Sequence, residues 1–154
     1  MKPLLLLSAL FILGGCTCTK NAGDGVVAGP AQVVEQFVQM SSDVRDTAAR
    51  EKLASLCQGR IRKAIDAISD DAFAVNYVNQ PIKIKEFKII DTTVDGNLAR
   101  VHYQIQIENP NGQDTTEEIN EREVEMLRVD NQWYLEAIRP KGSDQIAFTR
   151  GMIF

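Results

Sequence analysis

Few side chains in this chain of 154 residues are of the types that most often perform chemistry. There is one histidine, His102, and there are three cysteines, Cys16, Cys18 and Cys57. No Cys-x-x-Cys pair and no group of Cys and His has the spacing of a metal site. His102 lies on the polar side of a strand-like segment, together with Arg100 and Gln104. This position favours a solvent-facing side chain over a general base. We therefore predict no catalytic histidine and no bound metal ion.

Acidic side chains are the remaining candidates. Asp70 and Asp71 follow Ser69 and are expected to cap a helix, while Asp66 falls on a polar helical face. Five further carboxylates lie on one predicted strand: Glu117, Glu118, Glu121, Glu123 and Glu125. Alternate glutamates on a strand form a solvated face more often than a cation site, whose ligands come from a glycine-containing loop. No phosphate loop or serine-nucleophile motif is present, so we predict no catalytic residue and no cofactor.

Four aromatic residues are the set that we predict to line a ligand pocket: Phe73, Tyr77, Tyr103 and Trp133. The alternative is that they only pack in the core, which is the usual role of a tyrosine at an inward, alternating position.

The N-terminal residues carry a more specific pattern. Lys2 precedes a short apolar run over residues 4–13, which is the layout of a secretory signal peptide. The run is shorter than the roughly 20 residues that a membrane-spanning helix needs. It ends in Leu13-Gly14-Gly15-Cys16, which resembles the lipobox of bacterial lipoproteins. The resemblance implies cleavage before Cys16 and a diacylglycerol thioether on its sulfur; ordinary secretion with cleavage nearby is the alternative.

These residues divide the chain into four parts. We expect a signal peptide over 1–15, a lipidated and Gly-rich tether over 16–29, a domain over 30–139 and a C-terminal tail over 140–154 that folds back on the domain. The apolar residues expected to hold the tail are Ile146, Phe148, Ile153 and Phe154. A net charge of −4 gives no support to nucleic-acid binding.

The first half of the domain has helical periodicity. Helices are predicted from Pro30, after Asp46, from about Arg60 and after Ser69, with Gly59 as the stop of the second helix. Cys57 falls on the apolar side of this pattern and is expected to be a small core residue, with a disulfide as the alternative.

Pro81 ends the helical half, and the periodicity changes to that of strands. Strands are predicted over 82–90, 98–108, about 117–129 and 133–138. The second alternates cleanly between apolar and polar residues, which predicts an antiparallel sheet with one wet face. The third is so acidic that we expect a long, exposed or edge strand.

This order of elements resembles the nuclear-transport-factor-two-like superfamily, which includes a cystatin-like arrangement of helices and sheet. Three segments carry the resemblance: residues 30–37, 98–103 and 129–135, the last containing a polar turn followed by Trp133-Tyr134. The resemblance implies an α+β fold in which N-terminal helices pack on a curved antiparallel sheet to form a cone. A cystatin-like sheet and a generic α+β sheet are the alternatives, and the fold by itself implies no activity.

The sequence therefore predicts a bacterial envelope lipoprotein, held in the membrane by lipid on Cys16 and carrying a non-catalytic binding or scaffolding domain. Thr17, where an Asp would resemble a retention signal, favours the outer membrane facing the periplasm over the inner membrane. A small-molecule pocket protein or weak isomerase-like or dehydratase-like enzyme, using the cone mouth, is the alternative. Homodimerisation of the domain, or its binding to an envelope protein partner, is a further expectation.

Overall fold

The computed structural model describes residues 27–108, 119–143 and Ile153. Helices occupy the N-terminal half of these residues and a four-stranded antiparallel sheet the remainder, which confirms the predicted α+β class and the order of the elements. The helices are α1 (Pro30–Ser42), α2 (Ala49–Ser55), α3 (Gly59–Ala67) and α4 (Asp70–Phe73), followed by a π-helical turn (Ala74–Val78). The strands are β1 (Ile84–Asp95), β2 (Leu98–Ile107), β3 (Ile119–Val129) and β4 (Gln132–Pro140).

Helix α1 begins at the predicted proline. Pro30 occupies the first helical position, where its missing N–H costs nothing. The side-chain oxygen of Gln32 accepts a hydrogen bond of 2.9 Å from the backbone N–H of Gly29, which closes the first turn. The apolar stripe then faces the core, with Val33, Val34, Phe37 and Val38 all buried.

Gly59 has a different role from the predicted one. Helix α2 already ends at Ser55, and Gly59 is the first residue of α3, with a φ of 56°. A Cβ atom at this position would overlap the carboxylate of Glu136 on β4. The positive φ is the feature that requires glycine here, and any other residue would also displace the side-chain carboxylate of Glu136.

The strands form a simple meander in the order β1-β2-β3-β4. Two short turns join the outer pairs, with Asp95 paired to Leu98 and Val129 paired to Gln132. In the second turn Asp130 and Asn131 both have positive φ, of 49° and 67°. Two-residue hairpins need this conformation because it matches the right-handed twist of the strands.

The acidic strand is not at an edge. β3 pairs with β2 on one side and with β4 on the other, so the prediction of an edge strand was wrong. The prediction assumed that the charged side chains prevent the strand from pairing with a further strand. In the structure the carboxylates of Glu121, Glu123 and Glu125 are instead neutralised by cationic side chains on the same face of the sheet.

The two faces of the sheet differ as the alternation in β2 predicts. One face, here called the inner face, contributes to the core together with the helices, and its β2 residues are Ala99, Val101, Tyr103 and Ile105. The opposite, outer face carries Arg100, His102 and Gln104 from β2 and the alternate glutamates of β3. The helices pack against β1, β2 and β4 on the inner face, and the charged side chains lie on the opposite face.

Residues 56–58 cover the open side of β4. The backbone N–H of Gln58 donates to the carbonyl of Leu135 at 2.8 Å, and the N–H of Leu135 donates to the carbonyl of Leu56 at 3.0 Å. Cys57 therefore forms a parallel bridge with Leu135. These hydrogen bonds give partners to backbone N–H and C=O groups of the edge strand β4, and they connect the helices to the sheet.

Candidate functional site

All four predicted pocket residues belong to the hydrophobic core. Phe73 and Tyr77 stack with their ring centroids 4.8 Å apart, and both side chains are buried. Tyr103 lies on the inner face, with its ring 5.2 Å from that of Phe87. Such packing is the alternative role considered for these aromatic residues. That the four line one pocket stays a prediction.

The Tyr103 hydroxyl links the sheet to the C-terminal tail. It donates a hydrogen bond of 2.5 Å to the backbone carbonyl of Ile153, whose side chain is also buried in the core. Burial raises the pKa of the Tyr103 phenol, so the group remains a neutral donor. This contact supplies one attachment point for the predicted tail; Ile146, Phe148 and Phe154 lie outside the described residues.

The fourth aromatic residue, Trp133, borders an open groove of about 520 Å³. The groove lies between the N-terminal segment, α1, the end of α2 and the start of β4, and none of its lining residues is charged. They are Val27, Ala28, Val33, Gln36, Ser55, Leu56, Gln132, Trp133 and Tyr134. The guanidinium of Arg128 lies 5.7 Å from the centre of the Trp133 ring, at cation–π distance. We call this feature the uncharged groove.

A second groove, of about 680 Å³, lies on the outer face and has the opposite character. It contains the charged side chains of Asp95, Arg100, Glu125 and Glu136. Arg60 of α3 reaches the same carboxylates, at 2.7 Å from Glu125 and 3.7 Å from Glu136. Glu125 and Glu136, two of the acidic groups of this charged groove, are therefore already paired with arginine.

Ion pairs continue along the outer face. Arg139 lies 2.5 Å from Glu123 and 2.9 Å from Glu125, and Arg100 lies 3.7 Å from Glu123. A carboxylate that is paired with guanidinium groups in this way is a poor ligand for a hard cation, because the cation would have to displace them. The arrangement favours the predicted structural role of the glutamates over cation binding.

Glu121 is the most strongly perturbed carboxylate. Its hydrogen bonds with the Lys141 ammonium and then with the Gln104 amide lower its pKa to about 2, against an ordinary value of 4.5. His102 lies beside it, with Nε2 3.3 Å from the Glu121 carboxylate. The predicted outward direction of His102 is correct, but its side chain is only 15% exposed because neighbours on the sheet cover it.

Asp66 lies on an exposed helical face, as predicted, but the capping role predicted for Asp70 and Asp71 belongs to Ser69. The Ser69 hydroxyl accepts a hydrogen bond of 3.2 Å from the N–H of Ala72, and the two aspartates follow it in the first turn of α4. Asp70 in the first turn lies 2.9 Å from Arg50, and Asp66 pairs with Arg62 one turn earlier. These contacts give the aspartates structural partners, and they do not converge on a common cavity.

Cys57 is a core residue, as predicted. The thiol is free and buried, and burial raises its pKa. A neutral buried thiol is a weak nucleophile, because the thiolate is the reactive form. Cys16 and Cys18 lie outside the described residues.

One notable polar group was missed in the sequence. Arg122 lies on the inner face, opposite Tyr103 in the sheet, and is buried; burial lowers the pKa of its guanidinium. The signal was present, because Arg122 shares its parity with the buried Val124 and Met126.

Neither a metal-binding cluster nor a membrane-spanning helix is present among the described residues. No group of three or more His, Cys, Asp or Glu side chains there is arranged to hold a metal ion. In the same part of the chain, no helix is both long enough and apolar enough to cross a membrane.

Comparison with known proteins gives no family. No protein-family model and no curated protein matches this chain. Among solved structures, it is similar to the solution structure of a SEC-C motif containing protein from Rhodopseudomonas palustris, with 9% sequence identity and a TM-score of 0.41. The match covers 70% of this chain and 88% of that one.

Proposed function

We propose that this protein is a lipid-anchored component of the bacterial cell envelope, with a non-catalytic binding or scaffolding domain held at the membrane by acyl chains on Cys16. The observation that carries the proposal is the pattern Leu13-Gly14-Gly15-Cys16 directly after an apolar run. Each buried CH₂ group contributes about 0.8 kcal/mol to membrane binding, so a cysteine with several acyl chains is a firm anchor.

The chemistry of the described domain supports a binding role. The carboxylates of Glu121, Glu123 and Glu125 on the outer face are paired with Arg or Lys, and His102 on the same face is largely covered. An enzyme needs a nucleophile, acid or base that can reach a substrate, and such groups gather in a cleft when they serve catalysis. The paired, surface-spread arrangement instead suits a rigid platform.

The cone arrangement belongs to the same proposal. Support comes from the helices that pack on the sheet, chiefly α1 on β1, β2 and β4 and α3 on β4. A crystal structure of the domain tests it, and a flat sheet with helices along one edge would contradict it.

The alternative, a small-molecule pocket protein with isomerase-like or dehydratase-like chemistry, has narrower support. It rests on the aromatic set, of which Trp133 borders the uncharged groove while Phe73, Tyr77 and Tyr103 are buried in packing contacts. Native mass spectrometry distinguishes the two proposals, because a pocket protein should retain a ligand of reproducible mass.

Acylation of matched cysteine variants tests the main proposal. The wild-type chain, Cys16→Ala and Cys18→Ala are expressed in a bacterium that processes lipoproteins, with an alkyne-labelled fatty acid in the medium. We expect label and membrane association for the wild type and for Cys18→Ala, and neither for Cys16→Ala. Cys18→Ala is a close control because it removes a thiol two residues away.

A Cys16→Ala variant that is still acylated and membrane-bound would contradict the proposal. Loss of label from Cys18→Ala alone would move the attachment to Cys18. Separation of inner from outer membranes in the same samples tests the predicted outer-membrane location.

A further inference from the structure

The two edges of the sheet are covered differently. Along β4, residues 56–58 pair with the strand, and Cys57 forms a bridge with Leu135. Along β1, no further strand and no comparable bridge is present in the part of the chain that the structure describes. β1 is also the longest of the four strands, with 12 residues, and every residue from Ile90 to Asp95 is exposed. Such an edge offers unpaired backbone N–H and C=O groups to another strand.

The charge along β1 changes sign near its middle. Lys85 and Lys88 lie in the first half, with Glu86 between them, and Asp91 and Asp95 lie in the second half. If two β1 strands pair in antiparallel directions, the basic half of each strand lies opposite the acidic half of the other. Opposite charges directly across two strands stabilise a sheet, and like charges destabilise it. The edge of β1 is therefore complementary to the β1 edge of a second copy of the chain.

A β-bulge places Lys88 and Asp91 on the same face of the sheet. Lys88 pairs with Gln104, which is on the outer face of β2. Asp91 pairs with His102, the next outer-face residue of β2, because Ile90 is the extra residue of the bulge. Without the bulge, residues three positions apart on a strand would point to opposite faces. The lysine and the aspartate are thus both outer-face residues at the free edge.

The charges of Lys88 and Asp91 have no partner of opposite charge among the described residues. Their neighbour Lys83, by contrast, lies 3.3 Å from the carboxylate of Glu108. The Asp91 carboxylate accepts a hydrogen bond of 3.2 Å from the Thr93 hydroxyl, which is uncharged. A lysine from another strand can therefore approach Asp91 without displacing a cation.

One register of the antiparallel pair satisfies both the faces and the charges. Its two-fold axis lies between Ile89 and Ile90. In this register Lys88 of each copy lies opposite Asp91 of the other, on the outer face, as residues paired across two strands must share a face. Ile90, which is 41% exposed, lies beside the axis and opposite Ile89 of the other copy.

The neighbouring registers fail one of these two conditions. A shift of one residue would set Lys88 opposite Thr92, which is an inner-face residue, so the faces would no longer match. A shift of two residues would set Glu86 opposite Asp91 or Asp95, depending on the direction, and would bring like charges together. The alternation and the charges therefore select the register with Lys88 opposite Asp91.

We propose that two copies of this chain associate by antiparallel pairing of their β1 edges, with Lys88 of each copy opposite Asp91 of the other. The two four-stranded sheets then form one sheet of eight strands. The dimer has a two-fold axis, so each contact is made twice. Lysines and bulges usually prevent an edge strand from pairing, but here they admit a strand that presents an aspartate at the matching position. This pairing is independent of the lipid anchor proposed above.

Charge reversal tests the pairing. The full-length protein is purified with detergent micelles in large excess, so that copies do not share a micelle by chance, and sedimentation measures the dimer dissociation constant. We expect a reversible dimer for the wild type. Lys88→Asp and Asp91→Lys each set like charges against each other at two places and should raise the dissociation constant about ten-fold or more. Lys63→Asp is the control, because it makes the same change at an exposed position of α3 and should have no effect.

The double variant Lys88→Asp/Asp91→Lys separates the proposed pair from a general effect of charge. It restores opposite charges at both places, so its dissociation constant should return to within about three-fold of the wild-type value. A double variant as weak as the single variants would overturn the proposal. Equal weakening by Lys63→Asp, or a wild type that stays monomeric at every concentration, would overturn it as well.

Photo-cross-linking in living cells identifies what occupies the edge. A photoreactive phenylalanine analogue replaces Ile90, beside the proposed axis. The same analogue at Val75, which is 55% exposed on the π-helical turn, is the control. We expect an adduct of twice the mass of the protein for position 90 and none for position 75, with the cross-link falling within residues 88–91 of the second copy.

An adduct of any other mass at position 90 would assign the edge to a different protein and overturn the proposal. No adduct at position 90, or equal yields of the doubled mass at both positions, would also overturn it. This measurement leaves the charges of β1 unchanged, so it tests the pairing even if a charge-reversed variant fails to fold.

Discussion

The inner and outer faces of the sheet are built by alternate residues of the same strands but are held by different forces. On β3, Val124 and Met126 face the core, while Glu123 and Glu125 between them pair with Arg139. The inner face is stabilised by removal of apolar surface from water, which salt and pH barely affect. The outer face is stabilised by ion pairs, which are weaker and depend on both. The difference predicts how each face responds to change.

The largest effect is expected for truncation on the inner face. Leu135 is fully buried, so Leu135→Ala removes apolar contacts and leaves a cavity, and we expect a loss of about 2–5 kcal/mol in the free energy of unfolding. Urea unfolding measures it. Leu98→Ala is the control, because the same truncation at an exposed outer position should cost less than about 0.5 kcal/mol. Equal losses in the two variants would remove the distinction between the faces.

A smaller effect is expected where the inner face holds the C-terminal tail. Tyr103→Phe keeps the ring but removes the donor to the Ile153 carbonyl, which should lower the free energy of unfolding by about 1–3 kcal/mol. Tyr134→Phe is the control, because its exposed hydroxyl donates to the side chain of Gln132 instead. If both variants unfold at the wild-type urea concentration, the bond to Ile153 does not stabilise the domain.

The smallest effect is expected on the outer face, and it depends on pH. Contacts with Lys141 and Gln104 lower the pKa of Glu121 to about 2, below its ordinary value of 4.5. A carboxyl whose pKa is lower in the folded state stabilises the fold above the unfolded pKa and loses this contribution as pH falls through the folded pKa. The stability difference between the wild type and Glu121→Gln should therefore be full above about pH 5 and shrink towards about pH 2.

Urea unfolding at a series of pH values checks this prediction. Added salt should shrink the same difference, because the outer face is partly exposed and ions screen its charges. A difference between wild type and Glu121→Gln that stays constant over the whole range would show that the ion pair with Lys141 contributes nothing.

The sequence was sufficient for local features of the fold. Alternation in β2 correctly assigned its two faces, and the position of Pro30 set the start of α1. It failed where a residue depends on a partner distant in the chain. Gly59 begins α3 with a positive φ and lies against the side chain of Glu136, 77 positions later. β3 lies inside the sheet because it pairs with β2 and β4, and its glutamates meet arginines on other elements. Periodicity contains no information on such partners.

The residues of the candidate site could likewise be identified from the sequence only in part. Trp133 and its neighbours were recognisable as aromatic residues, but the groove that they border is assembled from α1, α2, β4 and the N-terminal segment. Arg122 was missed because a charged residue on an inner face contradicts the pattern around it. The pattern that resembles a lipobox is the reverse case: it is contiguous, so the proposal that Cys16 is lipidated rests on the sequence alone.

The mass of the N-terminal peptide of the protein, purified from bacterial membranes, tests whether Cys16 is lipidated. We expect a peptide that begins at Cys16 and carries the added mass of a diacylglycerol group, with or without a further acyl chain on its new amino group. A peptide that still begins at Met1, or one that begins near residue 16 without added lipid, would contradict it.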